Sequence, residues 1–203
     1  MDVARPLRRS PRTARGFSLM ELLTAIAIVA IVSSIAVPGL LTMVRNSRLS
    51  AVSNDLLASL QNARTESVKR QTQTVVCWAA DTTATTPTCS YGAGAAWIVF
   101  QDTNGNWQHD ANEPLLERHD ALDATLSVKT AGQSVIAFNA TGFATPTALF
   151  NRMTNAVFCD KRGVVALGAS STARAVVISA TGRARVANSL SDVLGALNGV
   201  ACP

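Results

Sequence analysis

The chain has 203 residues, 48% of them apolar but only 5% aromatic, and a formal net charge of +5. That length suits one modest domain plus an appendage, and the aliphatic excess points to a membrane segment. Five arginines (Arg5, Arg8, Arg9, Arg12 and Arg15) against Asp2 put +4 into residues 1–16 and leave +1 for the rest, so the basic pI describes the leader and not the remaining surface. The remainder is itself polarised. Seven acids face two bases over residues 81–151, and six bases face two acids over 152–203. An acidic middle and a basic tail suggest separate surfaces.

After the leader comes a long apolar segment, uncharged from Leu22 to Val44. A bilayer core takes about 20 residues, so the run is long enough to cross it. It is too long for the apolar core of a cleaved secretory signal. Arginines before it and polar chain after it place the N-terminus in the cytoplasm. Glu21 sits at the start of the run, where an acid in a membrane helix is a functional candidate. Pro38, followed by Gly39, removes one backbone hydrogen bond and predicts a kink or a loosened turn.

The stretch Arg15-Gly16-Phe17-Ser18-Leu19-Met20-Glu21-Leu22-Leu23 resembles the processing signal of type IV prepilins and type II secretion pseudopilins. The resemblance implies cleavage by a prepilin peptidase between Gly16 and Phe17, then N-methylation of Phe17. Glu21 becomes the fifth mature residue, where the family keeps a glutamate, and Pro38 matches the family's helix-breaking proline. A carboxylate four residues from a free amine suits pairing with a neighbouring subunit's amine as helices bundle. The amine of Phe17 exists only after cleavage.

From Arg45 to Arg70 the pattern stays helical. Leu49, Val52, Leu56 and Leu60 recur three and four residues apart, which makes one apolar face. One helix is predicted from about Phe17 to Gln71, roughly 80 Å at 1.5 Å per residue. Its second half packs its stripe on a head.

Beyond Gln71, short β-type runs alternate with Gly, Asn, Asp and Pro clusters. They are Thr74–Ala79, Ala96–Gln101, Pro114–Arg118, Ala124–Lys129, Ser134–Asn139, Asn155–Asp160, Arg174–Ser179 and Arg183–Ala187. Asp81–Ser90 and Thr145–Thr154 read as surface loops. The four cysteines Cys77, Cys89, Cys159 and Cys202 form no C-x-x-C pair and lie far from His109 and His119, which speaks against zinc. An even count in an exported head suggests two disulfides. Three pairings are open, and the favoured one joins Cys77 to Cys89 around a short loop and Cys159 to Cys202 at the C-terminus. The alternative is free core thiols.

The segment Trp97-Ile98-Val99-Phe100-Gln101-Asp102-Thr103-Asn104-Gly105-Asn106, with Glu113-Pro114-Leu115-Leu116 after it, resembles the head of the GspH/FimT branch of pseudopilins and minor pilins. Asp102, Asn104, Asn106, Asp110 and Glu113 also have EF-hand spacing. Trp107 stands where that loop wants glycine and no helix pair flanks it, so a hairpin connection with Asn-Gly and Asx turns is the stronger reading and calcium the weaker. No other metal and no cofactor is expected.

Residues 174–186 read as strand, tight turn, strand. On the second strand Arg183 and Arg185 share one face while Ala184 and Val186 share the other. The two guanidinium groups then sit about 7 Å apart along the strand, close to the phosphate repeat of a DNA strand. Lys161, Arg162 and Arg174 are candidates to widen the patch. Gly182-Arg183-Ala184-Arg185 resembles the G-R-x-R motif of FimT-type minor pilins, which bind DNA during natural transformation; Gly182 then shapes the turn. The alternative is an edge strand blunted by charge against aggregation.

The expected fold is α+β, a long transmembrane and amphipathic helix packed on a β-sheet head, as in type IV pilins. The divisions are a cleaved leader (1–16), a membrane half-helix (17–44), an amphipathic half-helix (45–71) and a periplasmic head (72–203). The expected function is that of a FimT-like minor pilin for DNA uptake, with prepilin peptidase, other pilins, double-stranded DNA of any sequence and the inner membrane as partners. The alternative is a GspH-like minor pseudopilin of type II secretion. No nucleophile–base or phosphate-loop motif points to an enzyme.

Overall fold

A computed structural model describes residues 16–90, 96–130, 134–145 and 152–202. It divides into two units, residues 1–43 and 44–203. The described part of the first unit is the apolar beginning of α1 (Leu19–Arg70). Ser18 caps this helix: its hydroxyl and its carbonyl both accept from the Glu21 N–H, at 3.2 and 3.1 Å. The spacing Ser18-x-x-Glu21 is that of a capping box. The helix continues through Pro38 without interruption. Its large side chains from Leu19 to Val44 are exposed, which only a lipid or protein environment would compensate.

The second unit starts where the helix turns amphipathic. Leu49, Val52, Leu56 and Leu60 are buried as their spacing predicts, together with Ser53, Ser59, Ala63 and Ser67. The small residues in this stripe let the helix approach the sheets closely. The head contributes β1 (Thr74–Ala79), β2 (Ala96–Gln101), β3 (Leu115–His119), β4 (Leu126–Lys129), β5 (Val135–Phe138), β6 (Asn155–Asp160), β7 (Ala166–Leu167), β8 (Ser170–Ile178), β9 (Ala184–Ser189) and α2 (Leu190–Leu197). One antiparallel sheet runs β3-β2-β1-β5; the other runs β4-β6-β8-β7, with β9 also on β8.

Strand alternation sorts the core. Val76, Trp78, Trp97, Val99, Ile136 and Phe138 of the first sheet meet the α1 stripe, as do Ala156, Phe158, Val176 and Ile178 of the second. The intervening residues of the first sheet, among them Val75, Cys77, Ile98 and Phe100, pack on Trp107. Those of the second, Val157, Cys159 and Ala175, pack under Val193, Ala196 and Leu197 of α2. Both faces of β1 are therefore covered, and all six of its residues are buried.

Three predicted strands have the observed bounds, and others differ at their ends. β8 begins at Ser170, four residues before Arg174, because Ser170 and Ser171 pair with β7 and Ser170 also faces Ser189 across an irregularity in the β9 register. Arg183 precedes β9 rather than opening it. The segment 145–154 is not wholly a surface loop: Met153 is buried and its N–H donates to the Val135 carbonyl at 2.7 Å, while residues 146–151 lie outside the described set. The helix α2 and the two-residue β7 had no counterpart in the sequence reading. Cys77 joins Cys89 and Cys159 joins Cys202, the favoured pairing.

Candidate functional site

The hairpin between β8 and β9 is closed by a turn at Ser179–Gly182. The Gly182 N–H donates to the Ser179 carbonyl at 2.9 Å, and the Ser179 N–H to the Arg183 carbonyl at 2.8 Å. Gly182 has φ +82°, and a Cβ there would lie 2.8 Å from Phe138 and 3.1 Å from the Ala144 nitrogen. Both the backbone angle and the space require glycine. Past the turn, Ala184 and Val186 pack against the core, and Arg183 and Arg185 are exposed. The turn thus aims two guanidinium groups outward from an anchored strand.

The two arginines differ in their surroundings. Arg185 meets Asp192 of α2 through a two-pronged pair, Nη1 to Oδ2 at 3.2 Å and Nη2 to Oδ1 at 3.1 Å. These hydrogen bonds raise the Arg185 pKa, and the same Arg185 contact, then one from Ser189, lowers that of Asp192. Among the described residues no acid is paired with Arg183. It lines a shallow recess of about 280 Å³ with Arg64 and Gln61 of α1. The sequence places Arg64 off the apolar stripe of the helix but not at this hairpin, because the helix-to-hairpin register is non-local.

The wider patch expected from sequence is not assembled. Arg162 is held by the buried Asp160, with an Nη2–Oδ2 distance of 2.6 Å, and donates to Asn46 Oδ1 at 2.9 Å. Burial raises the Asp160 carboxyl, but Arg162, with Arg45 behind it, outweighs this and holds it below the usual range. Arg174 Nη1 donates to the carbonyls of Ser171, Thr172 and Ala173 at 2.9 to 3.3 Å. Burial, then repulsion from Arg162, lowers its pKa. Lys161 lies beside Arg45 and Arg48. Sixteen residues of α1 separate Arg48 from Arg64, about 24 Å of helix rise. Lys161 and Arg162 therefore belong to the opposite end of the head from Arg183.

The Asp102–Glu113 connection satisfies itself. Asp102 accepts from Gln73, the Gly105 N–H and the Trp107 N–H at 2.6–3.0 Å. Glu113 accepts from Thr103 and the Asp110 N–H. Asp110 Oδ2 takes the side-chain amides of Asn104 and Asn106 at 2.8 Å. Trp107 adopts φ 64° and turns its ring into the core, and the candidate calcium oxygens accept hydrogen bonds within the loop that seats this ring, Asn104 and Asn106 closing Asx turns on the Asn106 and Gln108 N–H. No metal-holding cluster of His, Cys, Asp or Glu occurs among the described residues.

Both histidines are occupied in packing. His109 bridges the Pro87 and Glu113 carbonyls at 2.9 and 3.3 Å. His119 stacks on Trp97 with ring centroids 3.5 Å apart. The Trp97 indole N–H donates to Ser59 at 3.0 Å, and Ser59 in turn donates to Glu117. At the other end of the chain, Phe17 is 83% exposed and Glu21 is exposed on the first helical turn.

Two crystal forms of the type IV minor pilin FimU from Pseudomonas aeruginosa (strain PAO1) are similar, at 19% and 18% identity. They cover 74% and 73% of this chain and 96% and 99% of their own, each with a TM-score of 0.46. No curated protein sequence matches the chain. The prokaryotic N-terminal methylation motif matches residues 11–37, which contain Gly16, Phe17 and Glu21. The Type II transport protein GspH family matches residues 52–182; with more than half its length so matched, the chain belongs to that family and is a GspH/FimT-like prepilin.

Proposed function

We propose that this protein is a minor pilin of the FimT kind, which joins a type IV pilus and holds double-stranded DNA at Arg183 and Arg185. Prepilin peptidase cuts between Gly16 and Phe17 and methylates Phe17, and Glu21 then neutralises the Phe17 amine of a neighbouring subunit. Before assembly the protein crosses the inner membrane once, N-terminus in the cytoplasm and head in the periplasm. The reading is of a binding and assembly subunit, not an enzyme. One observation carries the DNA site: Ala184 and Val186 are anchored in the core while Arg183 and Arg185 are exposed, with Arg64 beside Arg183. Such a surface contacts phosphates and reads no bases.

A second reading, a minor pseudopilin of type II secretion, is favoured by the Asp192–Arg185 pair, which offsets one of the two charges. The family match also ends at Gly182, before both arginines.

Titration of a DNA duplex with the full chain in detergent, across a salt series, separates the two. For the first reading, Arg183→Ala with Arg185→Ala weakens binding and flattens the log–log salt slope by about 2. Absence of binding by the folded wild type at low salt leaves the pseudopilin reading.

A further inference from the structure

At the other end of the head lies a basic recess that the DNA reading does not use. It has a volume of about 220 Å³ and is lined by Arg45, Arg48, Thr125, Leu126, Asp160 and Lys161. Its cations outnumber its effective anions. Asp160 is already held by Arg162. Arg48 reaches Asp123 at 3.4 Å, but both side chains are about half exposed, where such a pair is weak. Arg45 has Asp160 as its nearby acid, shared with Arg162. Lys161 is exposed.

The place of these residues along the chain gives the recess its ligand. The uncharged run ends at Val44, and Arg45 is the next residue of the same helix. At 1.5 Å per residue, Arg45 and Arg48 stand about 1.5 and 6 Å past the apolar run. The headgroup layer on each side of a bilayer core is about 5–7 Å thick. Both arginines fall within that layer when the run spans the core, and the fold brings Lys161 to them from 116 residues later than Arg45. Long basic side chains suit this depth, with the stem against apolar surface and the charge at the phosphates.

We propose that the recess binds the phosphodiester of an anionic phospholipid headgroup, with Arg45, Arg48 and Lys161 as its contacts. The subunit waiting in the membrane is thereby held to anionic lipid at its neck. Extraction into a filament must then release that lipid.

Native mass spectrometry of the full chain, released from micelles holding equal phosphatidylglycerol and phosphatidylcholine, tests this. The wild type retains phosphatidylglycerol in preference. Arg45→Gln with Lys161→Gln lowers that preference roughly tenfold or more, as expected for two cations beside an anionic surface. Lys161→Gln alone, in an exposed loop, lowers it in part and guards against a folding defect. Arg183→Ala with Arg185→Ala leaves it unchanged. Equal retention of both lipids by the wild type, or no change in the Gln variants, overturns the proposal. Complete displacement of the lipid by inorganic phosphate overturns it too, since the recess is then a general anion site. So does displacement by a short DNA duplex, which would make the recess part of a nucleic-acid surface.

Discussion

Arginine plays three physical parts in this head. Arg183 is exposed at a turn, Arg185 is half spent on Asp192, and Arg162 and Arg174 serve the fold itself. The Asp160–Arg162 pair makes the sharpest residue-scale prediction. Asp160 is 5% exposed and Arg162 17%, so Arg162→Ala leaves a carboxylate with little water around it. The expected loss is about 2 kcal/mol at neutral pH, below that of a fully buried pair because Arg162 keeps some solvent. The Asp160 carboxyl titrates below its ordinary value. The pair's contribution is therefore complete above about pH 4 and is lost as pH falls through the lowered pKa. Urea unfolding of both proteins across pH should show the gap closing on acidification. A gap that does not change with pH would rule out the ion pair as its source.

At the scale of elements, the β8–β9 hairpin depends on Gly182 twice, for its positive φ and for its contact with Phe138 and the Ala144 backbone. Gly182→Ala should cost about 2 kcal/mol, as strain in a left-handed position adds to a close contact. It should also disturb the aim of Arg183, so the DNA binding proposed for this hairpin should fall along with thermal stability. An unshifted melting temperature would mean that the turn relaxes freely. The helix α1 shows how one element changes environment along its length. The same 52-residue helix carries an all-round apolar surface before Val44 and a narrow stripe after it, and only the stripe is buried by the head. Strand β1, buried on both faces, reads as a continuous apolar run for the same kind of reason.

For the whole molecule, the two disulfides close loops of very different size. Cys77 and Cys89 are 12 residues apart, and Cys159 and Cys202 are 43 apart. In chain-entropy terms the longer loop contributes about 4 kcal/mol and the shorter about 3. Replacing Cys159 and Cys202 by Ser should therefore lower the melting temperature more than replacing Cys77 and Cys89. Cys202 also packs beside the α2 cluster, so its loss should loosen α2 and with it the Asp192 partner of Arg185. Equal melting temperatures for the two double variants would argue against a loop-entropy origin.

Elements whose causes are local can be read along the chain. The apolar run, the amphipathic stripe and the strands Thr74–Ala79, Ala96–Gln101 and Asn155–Asp160 follow from periodicity and from the turn residues that bound them. The turn at Gly182 and the alternation of Arg183 and Arg185 with Ala184 and Val186 were legible for the same reason, as a strand's period of two needs no partner to be read. The helix α2 escaped because eight residues are too few for a helical period to stand out. Which charges meet cannot be read that way. Arg64 comes to Arg183, Asp192 takes Arg185, and Lys161 joins Arg45 and Arg48 instead of the hairpin. Those meetings are set by packing between segments distant in the chain, and an exposed charge leaves no trace of its partner in the residues on either side of it.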